Sequence, residues 1–466
     1  MSVGYGTAKS AGAETNRISL SDAVIQNWGL LAFIAVVPLQ NLYIQKFSGL
    51  GAGLNILNGC VLLSLFILVV RQKNVAVRGI TSPVGGWVIA WVLCMVLALV
   101  IGSMKLSGLP ADHVGLLKDQ LTPILMFYVA TRAIRCKKQM HYLLLAASLP
   151  LPYMFRSFYV QYQTVASWHY SDNLRLVNGT FSELGSNEFA AYFATYTLVA
   201  LGIYLHSANR RLRIYLLVLM AMAGYAFIYS HSRGAWLSGI GGLIAMGSIT
   251  NWRKTLVVAV TCVALSAPLM HFLPVSVQER YSTIFVGEGE RDNSAESRFV
   301  LWDEAMKQFS SSPVVGIGFH TFQHLNVYGK DTHNFFVKTL TEEGVVGIFI
   351  ISILLILSAL QCYKLARAAR DELARGFGAG MFGCVVAMLI GNMFGDRFTH
   401  YPLISNFWIF LGVVLVLNKG LVSDLESSAD GSRNAVNNDT KRPARKILGG
   451  AIRSRTSHPY PGQAAN

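Results

Sequence analysis

Apolar runs of about 20 residues recur along most of this chain, and a segment of that kind has few ways to fold. The hydrocarbon core of a bilayer is crossed by about 20 helical residues, and a backbone buried there must bond to itself. Runs near 23–42, 50–70, 84–104, 117–134, 140–160, 187–206, 212–230, 234–250, 254–273, 343–365, 377–395 and 402–418 meet that length. The predicted fold class is an all-α polytopic membrane protein of about twelve transmembrane helices. A composition that is 53% hydrophobic and only 14% charged excludes the two or three soluble domains that 466 residues would otherwise suggest. Pro38, Pro123, Pro150 and Pro152 predict kinks or broken helices among the first five spans.

A net charge of +15 could point to nucleic acid, but the distribution of charge removes that reading. Arg71/Lys73/Arg78, Arg135/Lys137/Lys138, Arg210/Arg211/Arg213, Arg253/Lys254 and Lys364/Arg367/Arg370 fall in every second loop. That alternation is the positive-inside pattern; it places both termini in the cytosol and leaves the opposite face slightly acidic. The chain then divides into a cytosolic arm at 1–22, helices one to nine at 23–273, an outward loop at 274–342, helices ten to twelve at 343–418, and a disordered basic cytosolic tail at 419–466. No cleavable signal peptide is expected, because Met1 to Asp22 is polar and the first apolar run is long enough to span. Cys60, Cys94, Cys262, Cys362 and Cys384 lie in or at the ends of apolar runs, and Cys136 lies in a cytosolic loop. A disulfide framework is therefore not expected, and Cys and His show no metal-ligand spacing.

Chemistry should reside where polar residues interrupt the apolar pattern. The longest excursion is 293–347, where Asn293 and Glu296 form a capping-box pattern and Phe299, Trp302, Met306 and Phe309 recur at helical spacing. Arg298 lies in the first turn of that amphipathic helix; Pro313, Gly316 and Gly318 stop it. His333 and Asn334 precede a second amphipathic run, Phe335 to Leu340, that re-enters the membrane; as a local feature the pair reads as an interfacial helix cap. Between the seventh and eighth spans almost no loop separates the apolar runs, so Arg233 sits at the outer interface, beside Gly234, Gly239, Gly241 and Gly242, which allow a helix or ligand to come close. Alone, Arg233 reads as a snorkelling anchor; as an ionisable group in a membrane segment it is also a functional candidate. His231 reads as an interfacial histidine.

At the entrance to the sixth span, Glu183, Asn187 and Glu188 leave two readings open, helix capping by Ser186 or Asn187 and substrate contact. Asp396 and Arg397, in the outer turn before the last span, read as local charge balance and only weakly as a substrate contact. Two arginines and a histidine on one face suit a diphosphate whose lipid tail stays in the bilayer. The guanidinium fork matches phosphate oxygens, and a histidine takes a proton from an attacking hydroxyl.

SRGAWL around Arg233, SRFVLW around Arg298 with GIGFHTF behind it, and THNFFVKTLTEEGVVG around His333 together resemble the O-antigen ligase and polymerase superfamily of bacterial membrane glycosyltransferases. The resemblance covers about 212–360. It implies a C-type glycosyltransferase fold in the bacterial inner membrane, with the active site facing the periplasm. It also implies an undecaprenyl-diphosphate-linked glycan as donor, a glycan or lipid acceptor, inversion at the anomeric carbon, and no metal or other cofactor. By motif position, Arg233 and Arg298 contact the diphosphate and His333 activates the acceptor or steadies the leaving group; Asn334, Glu183 and Asn187 are candidate substrate contacts. En bloc ligation of a glycan and polymerisation of lipid-linked repeats both fit. A polytopic transporter or an export scaffold is the rival from another class. The transporter reading is weakened by the missing internal repeat and by polar candidates that gather at the outer mouth instead of the bilayer midplane.

Overall fold

The computed structural model describes residues 26–42, 55–72, 82–182, 184–270, 272–282 and 293–440. The expected N-terminal arm and the tail beyond 440 lie outside them. Within the described residues every regular element is a helix and no strand occurs, and the chain is an all-α polytopic membrane protein. Seven described helical stretches, with Lys137–Val165 counted as one, are long and apolar enough to cross a membrane.

The first part of the chain forms α1 (Trp28–Val36), α2 (Ile56–Gln72), α3 (Pro83–Lys105), α4 (Ala111–Ala133), α5 (Lys137–Ser148) and α6 (Leu151–Val165). The break expected at Pro150 and Pro152 separates α5 from α6, and α1 ends just before Pro38; Pro123 lies inside α4 without ending it. Then come α7 (Ser186–His206), α8 (Arg210–Tyr229) and α9 (Arg233–Met270). Asn251, at φ −153° and ψ 88°, splits α9 where the sequence predicts a loop between the eighth and ninth spans. Two short elements, α10 (Val275–Ser282) and α11 (Asn293–Ser311), lead to α12 (Phe322–Leu325), followed by α13 (Phe335–Ala368), α14 (Glu372–Asn392) and α15 (Tyr401–Thr440). The apolar stretch of α15 ends at Gly420; residues 420–466 form a separate unit.

Small residues draw the inner helices together. A Cβ at Gly202 of α7 would lie 2.3 Å from the Gly376 carbonyl oxygen of α14, and one at Gly242 of α9 would lie 2.8 Å from that of Gly383. Such contacts let backbones approach where no hydrophobic driving force separates helix from lipid. The glycines after Arg233 thus serve helix packing: Gly234 backs onto Phe394, Gly241 onto Ile390 and Gly242 onto α14. Below the site, Trp91 of α3 stacks on Trp408 of α15 at 6.0 Å, and the rings of Phe335 and Phe398 pack edge-on against Trp91.

The loop before α13 is built into that helix. Gly344, at φ 70°, breaks α13, freeing the carbonyls of Thr341 and Glu342 to accept from Ile317 and Gly318 at 2.9 and 3.0 Å. The N–H groups of Val345 and Val346 in turn donate to Pro313 and Val314. These four backbone groups thus find partners in 313–318, as a low-dielectric setting demands.

Candidate active site

The last residue of α14, Asn392, is buried and organises the turn that follows. Its side-chain oxygen accepts from the N–H of Arg397 at 2.9 Å and of Phe398 at 3.2 Å. This folds the Arg397 side chain inward, where only 1% of the residue is exposed and Gly391 and Gly395 leave room for the guanidinium. Its Nε and Nη1 have no hydrogen-bond partner among the described residues. Burial pulls the guanidinium below its ordinary value; Glu188 acts to raise it and Arg298 to lower it further. The expected Asp396–Arg397 charge balance is not what forms. Asp396 instead accepts from Lys338 Nζ at 2.7 Å, and Lys338 also reaches Asp331 at 3.1 Å. The lysine is held between two carboxylates from separate elements, so Arg397 is left facing Arg298 and Glu188.

Around this turn stand the residues singled out from sequence. Arg298 is half-buried in the first turn of α11 and close enough to act on Arg397. Arg233 opens α9, half-buried, one residue before the Gly234 that packs on Phe394 of the same turn. His333 is exposed, at φ 52°, between two anchored neighbours. The Thr332 carbonyl accepts the Trp302 indole N–H at 2.9 Å, and the Phe335 N–H donates to the Gly395 carbonyl at 3.4 Å. The imidazole is thereby presented at the surface from a fixed backbone. Asn334 is the N-cap of α13, its side-chain oxygen accepting from Phe336 and Val337 N–H. Burial pushes the Asp331 carboxyl up, but Lys338 and the Thr332 N–H outweigh it and hold it below the ordinary carboxylate value.

The other candidates divide. Glu183 lies outside the described residues. Asn187 is half-buried in the first turn of α7, whose N-cap is Gly185 with no side-chain cap, so neither Ser186 nor Asn187 caps the helix. His231 is fully buried between α8 and α9, its ring against those of Tyr162 and Tyr170.

Residues 215–352 match the family model described as O-antigen ligase. That stretch is similar to the O-antigen ligase family and supports the resemblance drawn from its motifs. Arg233, Arg298 and His333 all fall inside the matched stretch, whereas Arg397 and Glu188 lie outside it. No curated protein matches the chain. The match supports an O-antigen ligase- or polymerase-like function in polysaccharide biosynthesis.

An apolar groove of about 390 Å³ lies near the arginine cluster, lined by Tyr192, Tyr196, Val199 and Ile203 of α7 with side chains of α5, α8, α14 and α15. Glu188, Tyr192, Tyr196, Val199 and Ile203 follow one another at helical spacing, so the groove starts one turn, about 5.4 Å, from the level of Glu188 and Arg397. Away from the arginines, Asp112, His113 and His324 form a group whose ligand atoms all lie within 4.8 Å of one another. No spacing in sequence could show it, because the histidines come from α4 and α12, far apart in the chain.

Proposed function

We propose that this chain moves a glycan from an undecaprenyl-diphosphate carrier to an acceptor hydroxyl on the outer face of the bacterial inner membrane. The observation that carries the reading is the buried Arg397 guanidinium, with two N–H groups unpartnered among the described residues, next to Arg298. Glu188 offsets the burial of this charge and its repulsion by Arg298 only in part, since the guanidinium stays below its ordinary value, and a dianionic ligand offsets the rest. Arg233 approaches through the same turn. The diphosphate sits across these guanidiniums, and the polyprenyl tail follows the groove along α7 into the lipid.

In the transfer itself the acceptor oxygen attacks the anomeric carbon from the side opposite the diphosphate. The bond to the diphosphate oxygen breaks, and its electron pair leaves with the carrier, inverting the configuration. His333, exposed and anchored on both sides, takes the proton of the attacking hydroxyl. The arginines stabilise the charge on the departing diphosphate, the role a divalent metal fills elsewhere. In this arrangement the arm at 1–22 and the tail at 419–466 are cytosolic, and 274–342 with His333 faces the periplasm.

Ligation to a non-carrier acceptor is the preferred form of the reaction. Polymerisation needs a second diphosphate site, and the arginines nearest to forming one outside the cluster, Arg175 and Arg280, are in part matched. Arg280 lies over the Tyr170 ring at 4.9 Å, and Arg175 also acts on Tyr170, but Asp172 pairs with Arg175 and Glu279 holds His169 and the Tyr170 N–H. That pair of arginines is the specific feature favouring a polymerase as the second reading. Purified protein given the lipid-linked glycan as sole substrate separates the two. No product until an acceptor is added supports ligation, a ladder of longer lipid-linked chains means polymerisation, and no turnover in either condition overturns both.

A further inference from the structure

We propose that Asp112, His113 and His324 bind a zinc-class divalent cation that clips the start of α4 to the loop carrying α12. The chemistry of the three groups and the state of His113 point there together. The Asp112 carboxylate and one ring nitrogen from each histidine lie within 4.8 Å of one another. His113 is 0% exposed, and among the described residues neither of its ring nitrogens has a hydrogen-bond partner. A buried imidazole in that state forfeits the bonds it would make to water. Coordination restores one of them.

Two imidazoles and a carboxylate are the protein ligands of a four-coordinate zinc site with one position left over. Magnesium and calcium prefer all-oxygen shells, and no thiolate is present to favour a softer ion. With metal–ligand bonds of about 2.0–2.1 Å, tetrahedral donors stand roughly 3.3 Å apart, so small rotations of the exposed Asp112 and His324 side chains close the shell. Their exposure also gives the ion a way in. The fourth position falls to water or to His320, whose ring lies 5.6 Å from that of His113 and 6.5 Å from that of His324. His320 is held at φ 54°, with its N–H donated to the Glu342 carboxylate at 2.9 Å.

The two sides of the clip already touch nearby. The Phe319 N–H donates to the Ala98 carbonyl of α3 at 2.9 Å, and a Cβ at Gly318 would lie 2.2 Å from Gly102 Cα. The ion would fasten the far end of the same contact, between the start of α4 and α12. It has no part in glycan transfer: none of its ligands belongs to the Arg233, Arg298, Arg397 and His333 group.

Tag-free, full-length protein in detergent, equilibrated with zinc and passed into metal-free buffer, tests the site by elemental analysis and by thermal unfolding. One zinc per chain is expected, with a midpoint that rises with zinc concentration by mass action. His324→Ala and Asp112→Asn, both at exposed positions, should each lose most of the metal and the zinc-dependent rise while remaining folded. His113→Gln should do the same, and if it fails to fold the two exposed variants decide. Cobalt in place of zinc should give visible bands of a nitrogen- and oxygen-ligated four- or five-coordinate ion. Substoichiometric zinc in the unmodified chain, or full zinc in the His324→Ala, Asp112→Asn double variant, overturns the proposal. Neither readout uses turnover, so failure of the transfer reading leaves the result interpretable.

Discussion

Arg397 and His333 make opposite use of their surroundings, and their variants should separate accordingly. If Arg397 only filled space, replacing a buried, underbonded guanidinium by Met would leave activity unchanged and even raise stability. A diphosphate contact predicts instead that Arg397→Lys loses about 10- to 100-fold in kcat/KM, since a point charge lacks the fork and charge-assisted bonds contribute about 1.5–3 kcal/mol. Steady-state transfer by purified variants at matched folded concentration decides between them. At the neighbouring pair, His333→Ala should cut turnover about 100- to 10,000-fold with little change in thermal midpoint. Asn334→Ala should lower stability by about 1 kcal/mol through loss of the cap. A catalytically normal His333→Ala would remove the base assignment. His231 supplies a pH effect: burial first, and Arg280 second, push its imidazole down to about 4. Between about pH 4 and the ordinary 6.5, the unfolded chain holds a proton that the folded chain does not, so stability rises with pH across that window and falls on acidification. The thermal midpoint should drop between pH 7 and pH 5 in the unmodified protein and drop less in His231→Phe; equal drops would refute the assignment. Arg233, Arg298 and His333 were legible in sequence as isolated polar residues beside apolar runs. Arg397 was masked by its neighbour: on paper Asp396 neutralises it, and only the fold shows Asp396 turned to Lys338.

Among the elements, helices were more legible than the faces they bury. The sequence predicts a helix beginning at Asn293, and α11 runs from there to Ser311. Its buried side is Leu301 and Ala305, packed with Ile317 and Phe322, whereas Phe299 and Met306 of the expected stripe are exposed. Beside a bilayer, apolar side chains are stable both in the core and toward lipid, so hydrophobic periodicity locates a helix without saying which stripe faces in. The break in α13 was hidden for a related reason, because Glu343, Gly344 and Val345 carry no proline and read as the mere edge of a span. Gly344→Ala tests it. The residue sits at φ 70°, and a Cβ would lie 2.3 Å from the Val314 carbonyl oxygen. Strain of about 1–3 kcal/mol from the dihedral alone, plus the collision, should lower the thermal midpoint by several degrees. An unchanged midpoint would mean that the loop and helix are not joined as described.

For the molecule as a whole, length and hydropathy made the all-helical membrane class legible, because bilayer thickness is a one-dimensional constraint that a sequence can display; of the twelve expected spans, seven described helical stretches are long and apolar enough to cross. Convergence is three-dimensional, and neither the meeting of Arg298 with Arg397 nor that of His113 with His324 leaves a trace in spacing. If arginines neutralise the leaving group while a cation only clips a loop, excess chelator should lower the thermal midpoint yet leave turnover per folded molecule unchanged. Turnover that vanishes in folded protein and returns with one metal would place the ion in the chemistry. The backbone exchange around Gly344 also limits how this protein can be recombined. Residues 313–318 close the helix at 341–346, so neither stretch is a free-standing part. A chimaera joined between them inherits mismatched donors and acceptors inside the membrane boundary, whereas one that transplants 313–346 intact carries its own closure along. Natural or engineered exchange of acceptor preference should therefore have its crossover points outside that interval.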